Sequence, residues 1–235
     1  MTTGSSNVTI GYLAGEAILG GAQNVCVGRQ AGRGTTSAGN QVFIGGSAGE
    51  ANTTGGDNIA IGYAAYQSSD TETNNVAIGK AAMGGSVAGA EFTVAVGNFT
   101  LDALTSGDNN TSVGYDSSKS ITSGTDNVAL GKEAMSVVVG GSGNICIGSG
   151  ADVADGAADF TTAIGFQVGG TAGYTTLGER TNDIRAAHGN ITWATVSDER
   201  FKKNIQTSDA GLAVINDLRP VTYNWKTKGE VPEWS

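Results

Sequence analysis

Cysteine, proline, histidine and tryptophan are almost missing from this chain: 235 residues hold two cysteines, two prolines, one histidine and three tryptophans. Two cysteines, Cys26 and Cys146, cannot build a disulfide framework. No apolar run approaches the ~20 residues that cross a bilayer, and the opening Met1-Thr2-Thr3-Gly4 lacks the basic and apolar regions of a signal peptide. No membrane insertion and no standard secretion signal are therefore expected. Positive charge is scarce as well, because residues 1–170 carry 5 Lys/Arg against 14 Asp/Glu. Such an acidic segment repels phosphate backbones, so nucleic acid is not an expected partner.

What is abundant is glycine, and it is unevenly placed. Of 38 glycines, 33 lie in residues 1–170, whereas every tryptophan, both prolines and His188 lie after residue 170. The split divides the chain into a glycine-rich segment, 1–170, a β connector, 171–196, with strand-like pieces at Tyr174–Leu177 and Asn190–Val196, and a C-terminal piece, 197–235.

The first segment is a repeat. Gly11, Gly28, Gly45, Gly62, Gly79, Gly97, Gly114, Gly131, Gly148 and Gly165 follow at intervals of 17, with one interval of 18 between Gly79 and Gly97. An aliphatic residue precedes each glycine, and a second apolar position lies two residues earlier, as in Val25-Cys26-Val27 and Ile59-Ala60-Ile61. Period-two alternation over so short a run predicts a β-strand with one buried face. Asparagine opens the strand in Asn7, Asn24, Asn58, Asn75, Asn110, Asn127 and Asn144, where stacked amides can hydrogen-bond along the coil axis. One clear strand, a second weaker strand and two glycine-bearing turns per 17 residues predict one coil of a β-solenoid enclosing a few aliphatic side chains. The repeat glycine either supplies a positive φ at a corner or permits a close backbone approach.

The pattern N-V-x-I-G followed by a small residue resembles the trimeric β-roll heads of YadA-like adhesins and the related repeats of phage fibres. The resemblance covers residues 7–170 and implies that thin coils complete their core by forming a homotrimer.

Within the repeat, few residues invite chemistry. Cys26 and Cys146 occupy the same small-residue position seven coils apart, roughly 33 Å at ~4.8 Å per coil, and are expected to be buried free thiols. The residues after the repeat glycine, among them Tyr12, Arg29, Tyr63, Lys80, Tyr115 and Lys132, form an exposed ladder that could touch a glycan but is adequately explained as variable surface. Asp57, Asp108 and Asp126 stand beside asparagine in turns, and no calcium-roll motif accompanies them, so neither a metal nor any other cofactor is expected. His188 has no cysteine or acidic partner nearby in sequence.

The C-terminal piece opens with Ser197-Asp198-Glu199-Arg200-Phe201-Lys202-Lys203-Asn204-Ile205. This is similar to the S-D-x-R-x-K-x-x-I opening of the endosialidase-type intramolecular chaperone of phage tailspikes and tail fibres. A helix over Ala210–Leu218, capped by Asp209 and stopped by Arg219-Pro220, and a strand over Val221–Trp225 follow in the family's order. The resemblance implies a small α+β fragment, here the start of the domain, that assists trimer assembly and then cuts the chain. Ser197 matches the nucleophile and Lys202 the base of a serine–lysine endopeptidase acting only on its own chain, with Asp198 and Glu199 beside the cut. The Ser197–Asp198 bond is the expected site, with the bond before Ser197 as the alternative.

Together these features predict an all-β solenoid shaft, homotrimeric, joined to a self-cleaving chaperone in a phage tail fibre or tailspike. Its expected partners are itself, other tail proteins and a host-surface glycan or protein receptor. Its expected location is the virion, extracellular after host lysis. A bacterial trimeric adhesin, or the non-catalytic end of a glycan-degrading tailspike, are the alternatives.

Overall fold

The computed structural model describes residues 4–189 and 194–195. Nine three-residue strands recur along the chain: β1 (Val8–Ile10), β2 (Val25–Val27), β3 (Val42–Ile44), β4 (Ile59–Ile61), β5 (Val76–Ile78), β6 (Val94–Val96), β7 (Thr111–Val113), β8 (Val128–Leu130) and β9 (Ile145–Ile147). After β10 (Asp152–Val153), β11 (Thr162–Phe166) supplies the tenth rung, and each rung pairs in parallel with the next. Val8 lies against Val25, Val25 against Val42, and Val76 against Val94, so register follows the glycine spacing, including its single longer step. The described residues form an all-β solenoid of about ten 17-residue coils, with no helix among them.

The sheet continues beyond the tenth coil. β13 (Tyr174–Glu179) lies parallel to β11 with Gly165 opposite Gly178, a step of only 13 residues. β14 (Asn182–Ala187) then pairs antiparallel with β13, and β15 (Ala194–Thr195) with β14. The short two-stranded sheet of β10 and β12 (Gly169–Gly170) lies outside this ladder.

The second strand expected in each coil forms only at the end of the solenoid, as β10 against β12. The rest of the turn is a set of corners held by left-handed residues that recur in register. Gln30, Ser47 and Ala64 form one such column, Tyr66, Met83 and Leu101 another, and Asn40, Asp57 and Asn74 a third, all with φ between 47° and 60°. A left-handed residue bends the backbone out of the extended region, so the segment cannot pair as a strand. Coil-to-coil hydrogen bonds persist there nonetheless, as from Gly32 N to Ala48 O (2.9 Å) and from Thr36 N to Thr53 O (2.9 Å).

The direction of the strand side chains also differs from expectation. The small central residue points inward, with Cys26, Ala60, Ala77, Ala95 and Ala163 fully buried, while the flanking aliphatics face outward and are half-buried or exposed. The large side chains of the core come instead from the turn side, including Ile18, Tyr66, Met83, Leu101, Leu104 and Met135. The coil is too narrow for large residues from both sides, and left-handed corners aim the turn residues at the strand.

The repeat glycines have φ between 126° and 140°, and a Cβ on Gly28 would lie 2.5 Å from the carbonyl oxygen of Gly45. Both reasons for glycine therefore act at one position. The asparagine column is a strap rather than a simple amide stack. Asn58 Oδ1 accepts from the Asn75 backbone N–H (2.9 Å) while its Nδ2 donates to Glu72 O (2.8 Å). Direct amide-to-amide bonds occur from Asn127 to Asn110 and from Asn144 to Asn127, each 3.1 Å. Gln41 takes the same place in its coil, accepting from Asn58 N (3.1 Å) and donating to Gly55 O.

Candidate functional site

The outward face of the strands is the most extensive chemical feature of the shaft. Val8, Ile10, Ile44, Val128, Leu130, Ile145 and Ile164 are exposed, and the aliphatics of the intervening rungs are half-buried. Two aliphatic columns thus run along one side of the rod, interrupted only by Thr111 and Thr162. Burying such side chains contributes about 25 cal/mol per Å² removed from water.

The cysteines are the buried free thiols expected of their position. Burial pushes the Cys26 thiol up to about 11, and burial, with a smaller contribution from the Asp152 carboxylate, pushes Cys146 up to about 12. Both are thus held in the protonated form near neutral pH, the less nucleophilic one.

The turn acids hold neighbouring coils together. Asp57 Oδ1 accepts from Asn40 Nδ2 (3.0 Å), and Asp108 Oδ1 accepts from the Glu91 backbone N–H (2.8 Å). Sequence reasoning missed Glu72, which is buried and accepts from the backbone N–H groups of Asp70 (2.9 Å), Thr71 (3.1 Å) and Gly89 (2.9 Å). These three bonds replace water around a carboxylate next to the coil that carries the extra residue. The one available signal was a glutamate at a position otherwise held by glycine or alanine, as in Gly55 and Ala90. Among the described residues no group of three or more His, Cys, Asp or Glu could hold a metal ion. His188 Nε2 makes a single side-chain bond, to Thr175 Oγ1 (3.3 Å).

Ser197, Asp198, Glu199 and Lys202 lie outside the described residues, as do the expected helix over 210–218 and strand over 221–225. For this piece the comparison with known proteins is informative. Residues 197–234 match the chaperone of endosialidase family. The matched stretch begins at Ser197 and contains Lys202, so both residues of the expected dyad fall inside the chaperone segment. No curated protein and no solved structure matches the chain. A β-solenoid of about ten coils followed by a chaperone of endosialidase segment fits the architecture of a phage tail fibre or tailspike.

Proposed function

We propose that this chain is the shaft of a phage tail fibre or tailspike that assembles as a homotrimer, attaches to a host surface and is matured by a cut beside Ser197. The observation that carries the reading is the match of residues 197–234 to the chaperone of endosialidase family, following a rod that leaves two aliphatic columns outward. Three copies that turn these columns toward a common axis bury them along the whole rod. A 17-residue coil has little interior of its own, and the added burial offsets the ordering entropy that one thin coil meets alone. Attachment is multivalent: copies on one particle raise the effective concentration at a surface, so weak single sites suffice.

Self-cleavage needs a hydroxyl beside its own scissile bond and a base that removes its proton. Ser197 supplies the hydroxyl and Lys202 the base. Losing the chaperone segment after assembly leaves the rod without the helper for the reverse path, which makes it kinetically stable. In the full-length protein, Ser197→Ala and Lys202→Ala each leave an intact chain on a denaturing gel while assembly persists, and mass spectrometry of the parent's fragments reads which bond is cut. Processing of both variants at the parental rate would remove the dyad assignment.

A further inference from the structure

The residues that follow the repeat glycine form a column with a period of its own. Aromatic residues occupy it at the first, fourth, seventh and tenth coils: Tyr12, Tyr63, Tyr115 and Phe166. Cations follow each of the first three aromatics by one coil: Arg29, Lys80 and Lys132. The third place is small or neutral: Gly46, Asn98 and Ser149. The structure puts these places in one line, because each column carbonyl accepts a bond from the next coil, as in Gln30 N to Tyr12 O (2.8 Å), Ala81 N to Tyr63 O (2.9 Å) and Glu133 N to Tyr115 O (2.8 Å). All four aromatics are exposed, Tyr12 at 70% and Tyr63 at 61%.

The third place gives the aromatics room. A Cβ on Gly46 would sit 3.4 Å from Cδ2 of Tyr63, so that ring lies across the glycine. Asn98 Oδ1 accepts from the Lys80 backbone N–H (2.9 Å), which ties this short side chain to the backbone of the preceding coil. The Lys80 ammonium lies 5.1 Å from the ring centre of Phe99, and Phe99 meets Tyr115 edge to face at 6.2 Å. Lys132 pairs with Glu133 at 3.2 Å and stays exposed.

Two simpler origins do not account for the period. A triplicated block would carry it into other columns, yet the strand centres run Thr9, Cys26, Phe43, then Ala60, Ala77, Ala95, and the left-handed corners run Gly15, Gly32, Gly49, then Tyr66, Met83, Leu101. Packing between copies related by an axis along the rod repeats at every coil, as the aliphatic columns do. A three-coil period suits an object that itself repeats every three coils, about 14 Å at ~4.8 Å per rung. Charge points the same way, since three of the five Lys/Arg in the acidic residues 1–170 stand in this one column.

We infer that this column binds a linear polysaccharide carrying one acidic group per repeating unit, each aromatic stacking on a sugar ring and each cation pairing with the acidic group. The inference rests on the attachment reading above and specifies its ligand. Several units bind together, so affinity rises with polymer length.

The test uses the whole chain on a panel of immobilised linear polysaccharides, namely acidic heteroglycans with one uronate in each multi-sugar repeating unit, their carboxyl-reduced counterparts and neutral glucans, with oligomeric state measured first on the same preparation. Retention on acidic polymers, lost on carboxyl reduction, is expected. Exchanging two places, Tyr63→Lys with Lys80→Tyr, keeps composition and charge but breaks the period, and is expected to weaken binding about tenfold. Arg29→Gln with Lys80→Gln gives the same loss by a milder change, with circular dichroism confirming the fold. No retention on any acidic polymer, or unchanged binding by the exchange variant, overturns the inference. So does dissociation of the assembly by Tyr63→Ala, which would assign the column to contacts between copies. A trimeric shaft that competes with phage adsorption yet ignores every acidic polymer would leave the attachment reading standing and sink this one.

Discussion

The two sides of each coil divide the work of one small core in opposite ways. The strand side turns a small residue inward and its large aliphatics outward, whereas the turn side turns its large residues inward. The division is kept by exchange of volume between facing columns. Ala60, Ala77 and Ala95 at the strand centre accompany Tyr66, Met83 and Leu101 at the corner. In the third coil the order is reversed: Phe43 fills the strand centre and Gly49 the corner, where a Cβ would lie 2.6 Å from Cε2 of Phe43. Gly32, in the preceding coil, gives way to the same ring, its Cβ position lying 2.9 Å from Cδ2. In a close-packed interior, volume added at one of these facing columns is given up at the other, whichever side supplies it.

Breaking this exchange at its extreme point has the largest expected effect. Phe43→Ala leaves a cavity facing two glycines and costs about 3–5 kcal/mol in chemical denaturation. Adding Gly49→Met to Phe43→Ala recreates the Ala77 and Met83 pairing of the fifth coil, where Met83 also has a left-handed backbone (φ 47°). Recovery of about half the loss is expected, and no recovery at all would show that the columns do not trade volume.

Next in size is the corner that both sides share. Gly28→Ala meets a positive φ and the Gly45 carbonyl together, and is expected to cost about 3 kcal/mol, whereas Ser37→Ala on the turn surface stays within about 0.5 kcal/mol. Equal thermal stability of the two variants would remove the close-approach role of the repeat glycine.

Much of this was legible in the sequence. Glycine spacing located every rung and the longer coil, and the alternation located the strand of each coil, but β14 over Asn182–Ala187 carries no such pattern and was not expected. The alternation did not reveal which face was inside, because in a period of two either set of residues fits a buried face and hydrophobicity favours the larger set. The columns at left-handed corners were hidden for a similar reason. Gln30, Ser47, Ala64 and Phe99 share φ between 55° and 60° but no side-chain property, since stacked neighbours hold the backbone there. Gln41 escaped the asparagine pattern because its longer arm reaches the same two partners. The three-coil period lay in plain view, but only register turned its residues into a single line.

The smallest effect sharpens the comparison through the strand-side thiols. Because Cys26 and Cys146 stand where alanine otherwise serves, replacing both with alanine is expected to change stability by less than about 1 kcal/mol near neutral pH. Burial raises both thiols above their ordinary value of 9.0, so folding favours the protonated form. The unfolded chain releases these protons first as pH rises. The thiol contribution is therefore constant below pH 9.0 and is lost progressively toward about 11. The double alanine variant lacks that part of the alkaline decline, and an identical decline in both proteins would place the thiols in water.

The central claim is that the outward aliphatic side of the strands is covered by other copies of the same chain. Sedimentation velocity of the full chain at micromolar concentration, beside an Ile78→Asp variant, tests it most directly. The account predicts a particle of three times the 23.5 kDa chain mass that Ile78→Asp dissociates. A parent that sediments as a folded 23.5 kDa monomer would contradict it.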